Sequence, residues 1–224
     1  VIEAASGDVA AEVARRGLAA HRDVVIMSTG GLLLHATRWR PAARRSRGRL
    51  YLPSGALGGL DGLKALAQGR VRRVSLTTSK PPASLASAPL VVRRRLRLAG
   101  LRRPRVIFDG TPRQAIQGFP QNTNVAATLA LAVLSGRATR RAPPIRIRVV
   151  ADPSLTRNVH QIDVDGDAGR LSCRMESRPS AENPKTSQVA IQAALATLAQ
   201  RFEPVRIGTE RSWSTSRDGG TERG

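Results

Sequence analysis

The sequence predicts an α/β fold. Three observations carry that prediction: a strand–helix–strand rhythm with parallel spacing over the first 56 residues, short β-branched runs further along, and an Ala-rich composition suited to helices. The chain has 224 residues, enough for one large domain or two small ones. Hydrophobic residues make up 41% and aromatics only 3%, so the core must be built from Ala, Val, Leu and Ile.

The elements follow in order. Val1 to Ala5 reads as the end of a buried strand, and Ala10 to Ala20 as an Ala-rich helix that Asp8 is placed to cap. Asp23 to Ser28 is a second short strand, followed by Thr29-Gly30-Gly31. Residues 36–48 read as a surface helix or loop, and Arg49 to Leu52 as a third strand. Beyond it, a helix is expected from Leu57 to about Ala67 and a strand over Val71 to Thr78. Residues 81–104, with prolines and an arginine run, read as an irregular connection. Val106 to Phe108 is a strand, Pro112 to Gln117 a short helix, and Asn124 to Leu134 an apolar helix. Ile145 to Ala151 alternates apolar residues with Arg146 and Arg148, the pattern of a half-exposed strand. Val159 to Val164 and Arg170 to Met175 are two strands joined by a turn at Asp165-Gly166-Asp167. Ser187 to Arg201 is an amphipathic helix with Ile191, Leu195 and Leu198 on one face. Residues 209–224 form a polar tail expected to be disordered.

The formal net charge of +21 raises the prospect of a polyanionic partner. Only Lys64, Lys80 and Lys185 are lysines, however, and the arginines are scattered without an aromatic ladder on which bases would stack. Arg and Ala enrichment together fit biased composition better than a nucleic-acid interface. The single cysteine, Cys173, excludes an internal disulfide and any cysteine-based metal cluster, and no metal is expected. A free thiol fits a reducing compartment. No apolar run reaches the roughly 18 residues of a membrane span, and Val1-Ile2-Glu3-Ala4 carries no basic leader. A cytoplasmic protein is expected.

Four segments carry candidate chemistry. Pro53 to Asp61 is a glycine-rich turn between a strand and a helix, read either as a close-approach site for a ligand or as an ordinary tight turn. Phe119 to Thr128 sets two asparagines before an apolar helix, where an amide either holds a carboxamide or caps the helix. His160, one of three histidines with His21 and His35, is either a proton-transfer group or a structural side chain. In Asn183-Pro184-Lys185-Thr186-Ser187, Thr186 or Ser187 is placed to cap the following helix, and Lys185 either neutralises a carboxylate or is simply solvated.

Taken in order, Leu52-Pro53-Ser54-Gly55-Ala56-Leu57-Gly58-Gly59-Leu60-Asp61, Thr77-Thr78-Ser79-Lys80-Pro81-Pro82, Phe108-Asp109-Gly110-Thr111, Phe119-Pro120-Gln121-Asn122-Thr123-Asn124, Ala151-Asp152-Pro153 with Asn158-Val159-His160, and Glu182-Asn183-Pro184-Lys185-Thr186-Ser187 form a series. It resembles the L-aspartate dehydrogenase family from about Val1 to Leu198. The resemblance implies a partial Rossmann-type parallel sheet at residues 1–56, completed by a helix at 187–208, and a mixed α/β catalytic and dimerisation domain at 57–186. It implies oxidation of L-aspartate to iminoaspartate with NAD or NADP, then release of oxaloacetate and ammonia or supply of NAD biosynthesis, by a homodimer. His160 falls on the family's catalytic histidine, and Ala56 and Asn124 fall on its cofactor-contacting alanine and asparagine. Lys185, Thr186 and Ser54 are weaker candidates for substrate carboxylates. The sequence departs from the family in holding no G-x-G-x-x-G turn and beginning around the fourth Rossmann strand, as an N-terminally truncated member would. Poor dinucleotide binding follows as an expectation. A non-catalytic dimerisation or binding module that keeps the catalytic-domain fold is the alternative.

Overall fold

The computed structural model describes residues 1–120, 124–134, 143–182, 186–205 and 208. The first sheet consists of β1 (Ile2–Glu3), β2 (Val24–Ile26) and β3 (Leu50–Tyr51), parallel and in chain order. Helix α1 (Gly7–Ala19) links β1 to β2 and buries Ala10, Ala11, Ala14, Gly17 and Leu18, the one-sided pattern of a helix against a core. A Cβ at Gly17 would lie 2.6 Å from Val24 Cγ2, so glycine there lets helix and strand touch. Ser6, rather than Asp8, occupies the N-cap of α1; Asp8 lies in the first turn, where it meets the helix dipole. The strand at the N-terminus is only half buried: Glu3 is buried, while Ile2 is 60% exposed.

From β2 the chain runs through α2 (Thr29–Leu34) and α3 (Ala36–Arg45) to β3. The 36–48 segment is more than a surface element. Trp39 of α3 is buried and donates from Nε1 to the Leu32 carbonyl at 3.0 Å.

The second sheet has the order β5-β6-β4-β7-β8, with β4 (Val71–Lys80), β5 (Arg105–Gly110), β6 (Ile145–Ala151), β7 (Asn158–Gly166) and β8 (Gly169–Ser177). β4 and β6 are parallel; the other three pairings are antiparallel. One face carries Val74, Leu76, Ile147, Val149 and Ile162, and is covered by α4 (Leu60–Leu66), α7 (Pro112–Gly118) and α8 (Asn124–Leu134). The opposite face is charged: Arg146 and Arg148 share Asp109 at 2.6 and 3.1 Å, and hold its carboxyl below the usual range. The turn between β7 and β8 is tighter than the sequence suggests, because pairing continues to Gly166↔Gly169.

Two proline-led helices, α5 (Pro82–Leu85) and α6 (Pro89–Arg93), replace the irregular connection expected at 81–104. Proline at the first helical position lacks only an N–H that would have no intrahelical partner, so it starts a helix readily.

Helix α8 joins the two halves of the core. It is buried on nearly every side, with Ala126, Leu129 and Val133 in the cluster beneath the second sheet and Leu131 in the cluster beside the first. The last helix, α9 (Gln188–Ala199), departs from expectation in its packing. Its apolar residues are present, but none of its side chains is buried, and Leu195 is 61% exposed. Among the described residues no layer closes over that face. No helix among them is long and apolar enough to cross a membrane. Residues 209–224 lie outside the described residues.

Candidate active site

His160 sits on β7 directly opposite Thr78 of β4 and Met175 of β8. Alternation along β4 explains its surroundings. Val74, Leu76, Thr78 and Lys80 share one face, so the first two build the core and the last two extend it as polar groups toward the strand end. His160 and Thr78 are buried, and Nδ1 of the imidazole lies 3.1 Å from Thr78 Oγ1. Lys80 is buried too. Burial holds the Lys80 pKa down at about 8. Burial, and then the Lys80 charge, hold His160 down at about 3, so the ring is neutral at physiological pH. A neutral histidine in fixed orientation is a proton acceptor in waiting.

Next to this pair lies a second polar row. Asn158 begins β7 and is paired with Ser177, which ends β8; both are buried. Ser177 Oγ has no hydrogen-bond partner among the described residues, nor has Ser187 Oγ. Ser187 occupies the N-cap of α9, but its side chain makes no capping bond. Thr186 is partly buried and uses its carbonyl to accept from Ser180 N–H at 2.8 Å. Lys185 lies outside the described residues.

The glycine-rich turn passes over the same sheet. A Cβ at Gly58 would sit 2.8 Å from Cys173 Sγ, and one at Gly59, whose φ is +76°, 2.9 Å from Cys173 Cβ. Small residues there let the turn close onto β8, which is the structural of the two readings. Ala56 is buried within that turn, whereas Ser54 faces a separate cleft of about 650 Å³ between β3, α8 and α9. This cleft is lined by Trp39, Leu57, Thr128 and Thr197, and His160, Ala56 and Asn124 are not on its wall. Its size does not make it the reactive centre; the buried titratable groups lie elsewhere.

Asn124 stands at the first turn of α8, with its side chain exposed. Its Oδ1 accepts from Gly30 N–H at 3.1 Å, and its carbonyl accepts from Thr29 Oγ1 at 2.9 Å. Thr29 Oγ1 also pairs with Thr128 Oγ1 at 3.0 Å. These bonds tie the start of α2, just past the C-terminal end of β2, to α8. The adjacent carboxylate of Glu3 is buried and accepts from Ala5 N, Ser6 N, Ser28 N and Ser28 Oγ at 2.8–3.0 Å. It therefore clamps the C-terminal ends of β1 and β2, the edge of a parallel sheet where ligands bind in open α/β folds. Glu3, Thr78, Lys80, Asn158 and Ser177 were not among the sequence candidates. The readable signal for Thr78 and Lys80 was two polar residues prolonging an apolar strand face. His21 and His35 lie apart, on the first-sheet side of the chain, where His21 Nδ1 accepts from Arg47 N–H. Among the described residues, no three His, Cys, Asp or Glu side chains are grouped to hold a metal ion.

With this geometry in hand, similarity to known proteins is informative. Residues 61–201 match the family model for the C-terminal part of aspartate dehydrogenase. The chain is 42% identical over 211 residues to L-aspartate dehydrogenase of Methanosarcina barkeri, covering 93% of this chain and 76% of that protein. It is 38% identical over 209 residues to L-aspartate dehydrogenase 3 of Bordetella bronchiseptica, covering 93% and 74%. The crystal structure of aspartate dehydrogenase from Thermotoga maritima superposes with a TM-score of 0.73 at 26% identity, covering 93% of this chain and 77% of the other.

Proposed function

The chain belongs to the aspartate dehydrogenase family, and on that premise we propose that it oxidises L-aspartate at Cα to iminoaspartate, with NAD or NADP as hydride acceptor. The observation that supports this most is a buried, neutral His160 held by Thr78 at 3.1 Å, the residue that the sequence resemblance assigns to the family's catalytic histidine. A nicotinamide coenzyme held there would supply the acceptor for the hydride that leaves the substrate Cα. The exposed Asn124 amide suits a neutral carboxamide, and it stands where β1 and β2 end. Those residues fit the nicotinamide end of such a coenzyme, with Ala56 as the small neighbour.

The chain's own residues then have separable roles. In the tautomer in which Nδ1–H donates to Thr78 Oγ1, His160 presents the Nε2 lone pair. It takes the proton that leaves the substrate nitrogen as the C=N bond forms. Once that proton has passed to solvent, the same nitrogen is free to take one from the water that attacks the imine, giving oxaloacetate and ammonia; imine that escapes hydrolysis is the form that supplies NAD biosynthesis. Thr186 is retained as a secondary candidate for substrate contact; Ser54, on the cleft that His160 does not line, is not. The reading also includes a nucleotide-binding unit made of residues 1–56 with the segment 187–208, whose helix in the structure is Gln188–Ala199 rather than the full segment, a catalytic unit at 57–186, a homodimer, and a cytoplasmic setting. The test is direct: incubation with L-aspartate and either coenzyme, supplied in large excess because weak dinucleotide binding is expected of this sequence, should yield reduced coenzyme, oxaloacetate and ammonia in equal amounts. L-alanine in place of aspartate should yield little. Reduced coenzyme without ammonia, or none with either coenzyme, would remove the assignment.

A further inference from the structure

The segment just past β2 is held from both flanks, and the chemistry described above gives that clamp no role. On one flank stands Glu3. Its carboxylate is buried, and its four partners are N–H and O–H groups of the chain rather than cations. Two of the bonds are local, from the N–H groups of Ala5 and Ser6. The other two come from the N–H and hydroxyl of Ser28, 25 residues along the chain. Beside them, a Cβ at Gly31 would run into the Gly7 carbonyl, so the segment is packed tightly against the start of α1. On the other flank stands α8. Gly30 N–H donates to Asn124 Oδ1 at 3.1 Å, and Thr29 Oγ1 donates to the Asn124 carbonyl at 2.9 Å. Thr29 spends its one proton there, so Thr128 is the donor in the 3.0 Å contact between the two hydroxyls.

These bonds decide what the Asn124 amide can offer a ligand. A primary amide has an acceptor oxygen and a donor nitrogen, and a half-turn of the group exchanges them. Gly30 N–H takes the oxygen, so the half-turn would set N–H against N–H. Nδ2 is left as a pure donor on an exposed residue. A carboxamide has one carbonyl oxygen, and that is the atom a pure donor recognises. The clamp on Ser28 needs a carboxylate because both of its oxygens accept; glutamine would turn a donor toward the N–H groups it has to receive.

We propose that Glu3 is a positioning residue for the coenzyme: acting through Ser28 and Gly30, it holds the Asn124 amide with its nitrogen outward, and so makes the site prefer a pyridine ring that carries a carbonyl substituent. This rests on the reading of the chain as a nicotinamide-dependent dehydrogenase. Glu3 acts from behind the segment it holds and touches neither coenzyme nor substrate.

The experiment titrates the isotope-labelled full chain with NAD and, separately, with an analogue whose pyridine ring lacks the carboxamide. Nuclear magnetic resonance follows the backbone signals and the Asn124 side-chain N–H signals, which read dissociation constants even where binding is weak. The wild type should bind NAD about three- to tenfold more tightly than the analogue, the range of one hydrogen bond between neutral groups. Glu3→Asp keeps the charge and the local bonds to Ala5 and Ser6 but is one methylene too short for Ser28. Glu3→Gln keeps the length and loses an acceptor. In either variant the preference for NAD should fall below about twofold, as it should in Asn124→Ala. A clamp with a structural role alone would change both affinities together and leave their ratio as it was. In turnover, the Glu3 variants should raise KM for the coenzyme while KM for L-aspartate holds. Circular dichroism checks folding, and if Glu3→Gln does not fold, Glu3→Asp decides. A preference that survives in the folded Glu3 variants, or is absent from the wild type, overturns the positioning role; aspartate oxidation by the same protein would leave the dehydrogenase reading intact. Loss of the preference in variants of a protein that does not oxidise aspartate supports the positioning role and removes aspartate as the substrate instead.

Discussion

His160→Asn tests the burial of the imidazole through stability rather than turnover. Asparagine retains a polar atom near the position of Nδ1 and so can keep a partner in Thr78, but it does not titrate. The wild-type ring has a folded pKa of about 3 against the ordinary 6.5. A depressed histidine pKa means that between those two values the unfolded chain binds a proton the folded chain refuses. Stability therefore rises with pH across that window and falls as pH drops through it. Linkage from pH 7 down to pH 4.5 gives a loss of about 2.5 kcal/mol assigned to His160 alone. The ring is almost fully buried, so solvent screening takes little from this figure. Urea denaturation at both pH values reads it, and the quantity of interest is the wild-type minus His160→Asn difference. That subtraction removes the common contribution of carboxylates such as Asp109 and Asp165, which are held low by arginines. The difference should move by about 2.5 kcal/mol in favour of the variant at the lower pH. A difference that stays constant would show that the ring titrates normally and is not buried as described.

Other consequences follow from the same contacts. Glu3→Ala removes a buried acceptor from three backbone N–H groups and the Ser28 hydroxyl, and should cost about 2–4 kcal/mol in denaturant unfolding. Gly59→Ala places a Cβ at a φ of +76° against Cys173 and should destabilise by about 1–3 kcal/mol, measured in the same way. Asn124→Ala forfeits the bond from Gly30 N–H, a modest loss of about 1 kcal/mol or less at an exposed site, yet should raise KM for the nicotinamide coenzyme while leaving KM for aspartate nearly unchanged.

Much of the fold was legible because local chemistry and tertiary packing agree. Asn124–Leu134 is apolar throughout and becomes the helix buried between both halves of the core. Ile145–Ala151 alternates and becomes a strand with one charged face. Short elements were harder. Thr29-Gly30-Gly31 belongs to no element in the sequence reading, yet starts α2, because the close approach of Gly31 to Gly7 and the Thr29 and Gly30 bonds to Asn124 fix it from outside. The proline-led helices α5 and α6 are too brief to show a period. For α9 the sequence supplied an apolar face but not what meets it.

The site divides in the same way. His160 was legible through the ordered motifs around it. Thr78 is 82 residues away in sequence, and only strand pairing brings the two together. Lys80 and Ser177 are invisible as a pair until β4, β7 and β8 are laid side by side. The glycines at 58 and 59 had two meanings in the sequence, and Cys173 chooses between them.

The central claim is that His160 handles the proton in oxidation of L-aspartate. The most direct measurement is the initial rate of aspartate-dependent coenzyme reduction, followed by absorbance of the reduced nicotinamide, in wild type and His160→Asn at equal folded concentration. The account predicts an aspartate-dependent rate in the wild type and a kcat lower by about 10²–10⁴-fold in the variant, the range for a lost acid–base group. Wild-type turnover in His160→Asn, or no aspartate-dependent signal with either NAD or NADP in the wild type, would contradict it.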